Sequence, residues 1–417
     1  MGRSQIGVII HRGSREIGGT CIELKSEGAS LFLDLGLPLS RQTTSVDVDS
    51  LRPDAVLVSH PHLDHYGLVD RLPPSVPVYM TPLAQDLVDS TRLFLGKRTL
   101  RNDIRHFTSW VPFEVGPFRI HPFLVDHSSP EAHAFLIEVQ GKRLFYSGDF
   151  RATGRKRKLF DRMIERPPKP IDLLLLEGTM LGRDNGEFPT EASVEDPIVQ
   201  VLREHAVPAF LVCSSQNIDR IVSAFRACKK TGRSLVIDAY TAWVLDRMRQ
   251  VSGSVPNLDW DGIRVYVSPG QYARIKEADE LRTFIPRLFG PARIKVEELE
   301  AHPERFLWVS KMSSGRTIRR HLERGRASVI YSQWKGYLDC SDEEYVGASD
   351  MRAFMNDEAV NFVYAHTSGH ATVEDLRRFS KALEPTIVVP IHTEHSEEFG
   401  RHIENVVIAD DGCEFDA

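Results

Sequence analysis

Short apolar runs broken by Gly, Pro and Asp dominate the chain up to about residue 150, at 4–10, 21–24, 30–33, 55–58, 118–123, 134–139 and 143–146. Runs of this length and punctuation predict β-strands, with few helices between them. From 190 to 250 the rhythm changes. Apolar spacing of helical period over 190–204, 217–230 and 242–249 alternates with buried-strand runs at 209–213 and 235–238, which predicts an α/β unit. After about 356 strand and loop character returns, with predicted strands at 361–364 and 386–390 flanking a helix over Val373–Leu383. No internal repeat or low-complexity tract interrupts this order, and the PPKP segment at 167–170 reads as a short linker.

Composition narrows the class. Of 417 residues 41% are hydrophobic and 26% charged, with a mean hydropathy of −0.25, which excludes disordered and fibrous chains. The longest apolar runs, at 171–176 and 386–391, fall far short of the roughly 18 residues that span a bilayer, so no membrane partner is expected. The N-terminus lacks an apolar core and a small-residue cleavage site, and Ile6 stands where a myristoylation signal needs Ser or Thr. Five scattered cysteines without a C-x-x-C predict free thiols, hence a cytoplasmic location. The net charge of −6 means that a polyanionic partner must be met by a local patch. Two clusters offer one: Arg151, Arg155, Lys156, Arg157 and Lys158, and Arg316, Arg319, Arg320, Arg324 and Arg326.

The sharpest chemical signal is SHPHLDH at 59–65, directly after the predicted strand 55–58. In an extended segment residues i and i+2 share a side, so His60 and His62 converge on one ion, while Asp64 and His65 start a helix and face a neighbouring one. Imidazole and carboxylate donors together suit zinc better than magnesium or calcium. Further ligands are expected at strand ends: His127, Asp149 in SGDF, and His392. Asp149 is the natural bridge, because a shared carboxylate offsets the repulsion of two cations about 3.5 to 4 Å apart.

With Asp34 in LFLDLG, HPHLDH, His127, Asp149, Glu177 in LLLLEGT, HTSGHA at 366–371 and PIHTE at 390–394, the chain resembles the metallo-β-lactamase fold family and, within it, the β-CASP nucleases. The resemblance implies an α/β fold, an αββα sandwich made of residues 1–180 and 356–417, with 181–355 as an inserted α/β β-CASP domain. It implies two zinc ions, with Mn2+ or Mg2+ able to serve in activity. His60, His62 and His127 would hold one ion, Asp64, His65 and His392 the other, and Asp149 would bridge them. Asp34 would orient ligands from behind. Asp64, Glu177 and His370 would be catalytic, His370 protonating the leaving oxygen and Glu177 holding its tautomer.

Relatives with His at the position of His392 cleave RNA, so the expected partner is RNA, single-stranded, and a homodimer is an open assembly. Substrate contacts implied by the resemblance are His366, Ser368, Ser214, Ser215 and Asn217, together with Arg155 and Arg157 from the first basic cluster. Helix capping by Ser215 or Asn217 explains those residues equally well. The chain departs from the pattern in the third motif, PIHTEH, where the family has Gly after the His, and in ending soon after His392. Competing expectations are a DNA nuclease of the same group, a small-molecule ester or lactone hydrolase, and a non-catalytic RNA-binding scaffold. The remaining histidines, among them His133 and His395, read as packing or surface residues.

Overall fold

A computed structural model describes residues 6–40, 46–183 and 187–417; residues 4 and 5 of the first expected strand lie outside this set. The chain divides into two compact units, Met1–Val88 with Leu100–Asp184 and Ser368–Ala417, and Asp89–Thr99 with Asn185–Thr367.

The first unit contains two sheets. One has seven strands in the order Glu414–Asp416, Gly7–Arg12, Cys21–Ser26, Ala29–Leu35, Ala55–Leu57, Pro77–Met80 and Asp103–His106. The other has six, in the order Pro385–Ile391, Ile171–Glu177, Lys142–Tyr146, His133–Val139, Phe118–Leu124 and Phe113–Val115. Side chains alternate across a strand, so a strand covered on both faces must be apolar throughout. In Ile171–Glu177, Leu173 and Leu175 enter the core between the sheets with Leu31, Leu33, Phe135 and Ile137. Leu174 and Leu176 instead meet Phe160, Met163, Phe379 and Leu383 of the outer helices Lys158–Glu165 and Val373–Leu383. Across the other sheet Phe32, Val56 and Val58 face Ala84 and Val88 of helix Pro82–Phe94. Helix, sheet, sheet and helix thus form four layers, the expected αββα sandwich.

The second unit is an α/β domain around six parallel strands, in the order Ile263–Tyr266, Ser234–Asp238, Phe306–Ser310, Ala209–Val212, Ala327–Tyr331 and Val360–Tyr364. Val360–Tyr364 belongs here because it pairs along its whole length with Ala327–Tyr331, so this unit runs on to Thr367 rather than ending near 355. The PPKP segment lies inside the first unit, joining helix Lys158–Glu165 to strand Ile171–Glu177, and is not a link between units. The helix expected over 190–204 starts only at Glu195, because Thr190 and Ser193 close a turn on each other through side-chain and main-chain bonds. The helix expected from 242 starts earlier, at Ala239, where Asp238 accepts from the Thr241 amide at 2.7 Å.

Phe379 packs against Phe145 edge-on, against Phe150 at a tilt and against Phe160 stacked, and is 2% exposed. Replacing Phe379 by Ala is expected to cost about 3–5 kcal/mol in urea denaturation. Leu95→Ala, at a side chain 58% exposed, should stay within about 0.5 kcal/mol.

Candidate metal centre

Strand direction assembles the site. Phe118–Leu124, Lys142–Tyr146, Ile171–Glu177 and Pro385–Ile391 all point the same way, either paired in parallel or related through the antiparallel His133–Val139. Their C-terminal ends deliver His127, Asp149, Glu177 and His392 to one rim. In the other sheet the parallel strands Ala29–Leu35 and Ala55–Leu57 end at Asp34 and at the SHPHLDH segment. His60 and His62 lie on extended chain, and the short helix Leu63–Tyr66 carries Asp64 and His65. The turn fits only because residue 36 is Gly: a Cβ there would overlap the Asp64 carbonyl. Asp34 and His392 hold φ of +60° and +50°, in the left-handed region that side-chain-bearing residues seldom adopt.

Ring nitrogens and carboxylate oxygens converge. His62 Nδ1 lies 3.1 Å from His60 Nε2 and 3.3 Å from His127 Nε2. Asp149 Oδ2 stands 3.1 Å from His65 Nε2, 3.7 Å from His60 Nε2 and 3.9 Å from His127 Nε2. Asp64 Oδ2 is 3.5 Å from His392 Nε2 and 3.7 Å from His65 Nε2. Among the described residues five groupings could hold an ion: His60, His62 and His127; His60, His65 and Asp149; Asp64, His65 and His392; His127, Asp149 and His370; and Glu177, His370 and His392. His370 Nδ1 is 3.4 Å from Glu177 Oε1 and 3.9 Å from Asp149 Oδ2.

Four of these rings are fixed from behind through Nδ1. His65 donates to Asp34 Oδ2 at 2.7 Å, His60 to Ser59 Oγ at 3.0 Å, His127 to the Gly369 carbonyl at 2.6 Å and His392 to Thr179 Oγ1 at 2.8 Å. A neutral imidazole that spends its only N–H this way leaves Nε2 as a bare acceptor. Such acceptors turned on one another in a buried space repel unless a cation lies between them. The Nε2 atoms of His65 and His392 are buried without a hydrogen-bond partner, so the donor set fits a bound metal.

The electrostatics agree. Burial holds His60 and His127 well below the usual imidazole range and His62 at about 4, with neighbouring imidazoles adding to the effect for His60, so these rings are neutral near pH 7. Burial also opposes the charge on Asp64 and Asp149. The histidines around them outweigh it, bringing Asp64 to about 2 and Asp149 well below its ordinary value. His65 is pushed up against the pull of burial by Asp149, Asp34 and Asp64, so a proton and a cation compete for its Nε2. His370 is likewise raised despite burial, by Glu177 first and Asp149 next.

The expected substrate residues are placed less uniformly. Ser368 accepts from the His370 amide at 3.1 Å, and Arg155 is half-buried and Arg157 exposed on the loop after Asp149. In the second unit Ser215 bonds Thr241 Oγ1 and Asn217 caps helix Ile218–Thr231, which leaves Ser214 as the exposed member of the three. His366 turns Nδ1 to the Ser332 carbonyl at 3.2 Å, beside buried Arg220. Arg151 is no part of a surface patch, being fully buried beside Asp126. In the second basic cluster Arg319, Arg320 and Arg324 are paired with Asp350 and Glu300. Four supporting residues had escaped the sequence reading: Ser59, Tyr146, Thr179 and Asp126. Each adjoins or lies two residues from a motif residue, and that adjacency was the available signal.

Comparison with known proteins places this geometry. Residues 33–212 match the Beta-lactamase superfamily domain, and residues 359–409 match the Zn-dependent metallo-hydrolase RNA specificity domain. The chain is 24% identical to ribonuclease J of Sinorhizobium meliloti over 82% of its own length, and spans 57% of that protein's length. It is 26% identical to an RNase J-like protein of Methanocaldococcus jannaschii, covering 92% of this chain and 91% of the relative. A crystal structure of a protein of unknown function from Enterococcus faecalis V583 superposes with a TM-score of 0.76 at 21% identity, covering 99% of this chain and all of the other. No helix among the described residues is long and apolar enough to cross a membrane. The chain thus resembles the metallo-β-lactamase superfamily over residues 33–212, and over most of its length it is similar to ribonuclease J.

Proposed function

We propose that the protein is a two-zinc phosphodiesterase that hydrolyses single-stranded RNA, with the second unit as its β-CASP domain. The observation that carries this reading is the central place of Asp149. Its Oδ2 lies 3.1 to 3.9 Å from ring nitrogens of His65, His60 and His127, its Oδ1 lies 3.8 Å from His392 Nδ1, and the His370–Glu177 pair stands beside it. In this reading His60, His62 and His127 would hold one ion and Asp64, His65 and His392 the second, with Asp149 a ligand to both; the ions would supply polarisation of phosphodiester oxygens and hydroxide near neutral pH.

The protein's own groups supply the rest. His370, its proton favoured by Glu177 and Asp149, is suited to protonate the departing oxygen. Glu177 is fixed for that task, accepting from the Thr179 amide at 2.9 Å and the Ala371 amide at 3.2 Å. Asp34, Ser59 and Thr179 keep the ligand rings turned inward. The names of the ribonuclease J relatives and the RNA specificity match over 359–409 support RNA as the substrate.

The direct test offers the purified protein 5′-labelled and 3′-labelled single-stranded RNA and DNA of one sequence, with and without chelator. Cleavage of RNA but not DNA, abolished by chelator, is expected. Metal-loaded protein that cuts neither would overturn the reading. Elemental analysis of His62→Ala and Asp64→Ala should show lowered metal content and no measurable hydrolysis. His370→Ala should keep its metal and lose about 10²- to 10⁴-fold in kcat; loss of metal there would remove His370 from the acid role. Asp34→Asn should weaken metal affinity or activity about 10- to 100-fold in a metal-competition titration.

A further inference from the structure

Arg151 and Asp126 form a buried ion pair beneath the metal centre, and neither has a place in the reading above. Both side chains are fully buried. A guanidinium withdrawn from water must spend its donors on fixed acceptors. Arg151 Nε faces Asp126 Oδ1 at 3.4 Å, its main-chain amide donates to the Asp126 carbonyl at 2.6 Å, and a terminal nitrogen donates to the Ser368 carbonyl at 3.1 Å. The next carbonyl, that of Gly369, accepts from His127 Nδ1 at 2.6 Å.

Residues 365–370 belong to no helix or strand, so their carbonyls rely on donors from elsewhere. The packing leaves no slack. A Cβ on Gly369 would overlap Ser128 Oγ, and one on Gly154 would overlap both the guanidinium and the Asp126 carboxylate. One ion pair therefore joins three segments, those that carry His127, Asp149 and His370.

We propose that Arg151, held by Asp126, is a positioning residue that fixes the His370 segment against the segments bearing His127 and Asp149. The inference rests on the phosphodiesterase reading for its effect on turnover, but the clamp itself does not.

The test compares wild type with Arg151→Lys and Asp126→Asn, measuring metal content, kcat and KM on RNA, and hydrogen exchange by mass spectrometry. Lysine keeps the charge but offers a single nitrogen in place of the two, Nε and a terminal nitrogen, that face Asp126 and Ser368. Arg151→Lys is expected to keep its metal and its KM within twofold, lose about 10- to 100-fold in kcat, and exchange about tenfold faster in peptides covering 126–129 and 366–371 but not in the second unit's sheet. If Arg151→Lys does not fold, Asp126→Asn carries the same expectations. Unchanged exchange in both peptides, or a kcat loss matched by metal loss, would overturn the proposal. Should the wild type cleave no RNA, the ribonuclease reading fails, while the exchange measurement still decides the clamp.

Discussion

The carboxylate of Asp34 is the point on which the centre hangs. It is fully buried and accepts four hydrogen bonds, from the Ser59 amide and hydroxyl, the Tyr146 hydroxyl and His65 Nδ1. Asp34 lies near the end of one strand, Ser59 follows a neighbouring strand of the same sheet and Tyr146 ends a strand of the other, so one anion ties the two sheets together at the rim of the site. A buried carboxylate is tolerable only when its lone pairs are filled, and here the donors that fill them set the metal-facing side. Through Ser59 the same anion orients His60. The positive φ of Asp34 is the conformational cost of aiming the carboxylate inward.

Around that anchor the protein concentrates groups whose charged forms burial opposes. Neutral imidazoles share a small volume with carboxylates kept ionised by the histidines beside them. Such a constellation stabilises no fold by itself and is maintained by the surrounding sandwich. The apolar strands that carry it, covered on both faces, give the rim its rigidity. Stability and chemistry are thereby separated: the sheets supply the first and the loops at their ends the second.

Much of this was legible in the sequence because the chemistry is local there. SHPHLDH places four ligand-type residues within six positions, and their convergence needs only an extended segment followed by a helical turn. His127, Asp149 and His392 were legible as polar residues closing apolar runs, and Glu177 through the family resemblance. What escaped notice depends on tertiary pairing. Thr179 and Ser59 are ordinary hydroxyls until a ring nitrogen is brought to them, and Arg151 reads as one of a run of cations until the fold turns it inward. Val360–Tyr364 shows the same limit: its pattern announces a strand, but only pairing with Ala327–Tyr331 says which sheet receives it. Around 190–194 local turn bonds of Thr190 and Ser193 overrode helical periodicity.

The strand Pro385–Ile391 has a consequence for how the molecule comes into being. It is the edge partner of Ile171–Glu177, and the second unit's sheet is encoded between the two. During synthesis the leucine-rich strand therefore emerges long before the segment that pairs with it, with its hydrogen-bonding groups unmet on that side. His370 precedes that segment and His392 directly follows it, so the centre cannot close until the chain has been made through residue 392. Assembly of the site is thus tied to synthesis through residue 392, and a product ending before residue 370 would hold the HPHLDH segment yet lack His370 and His392.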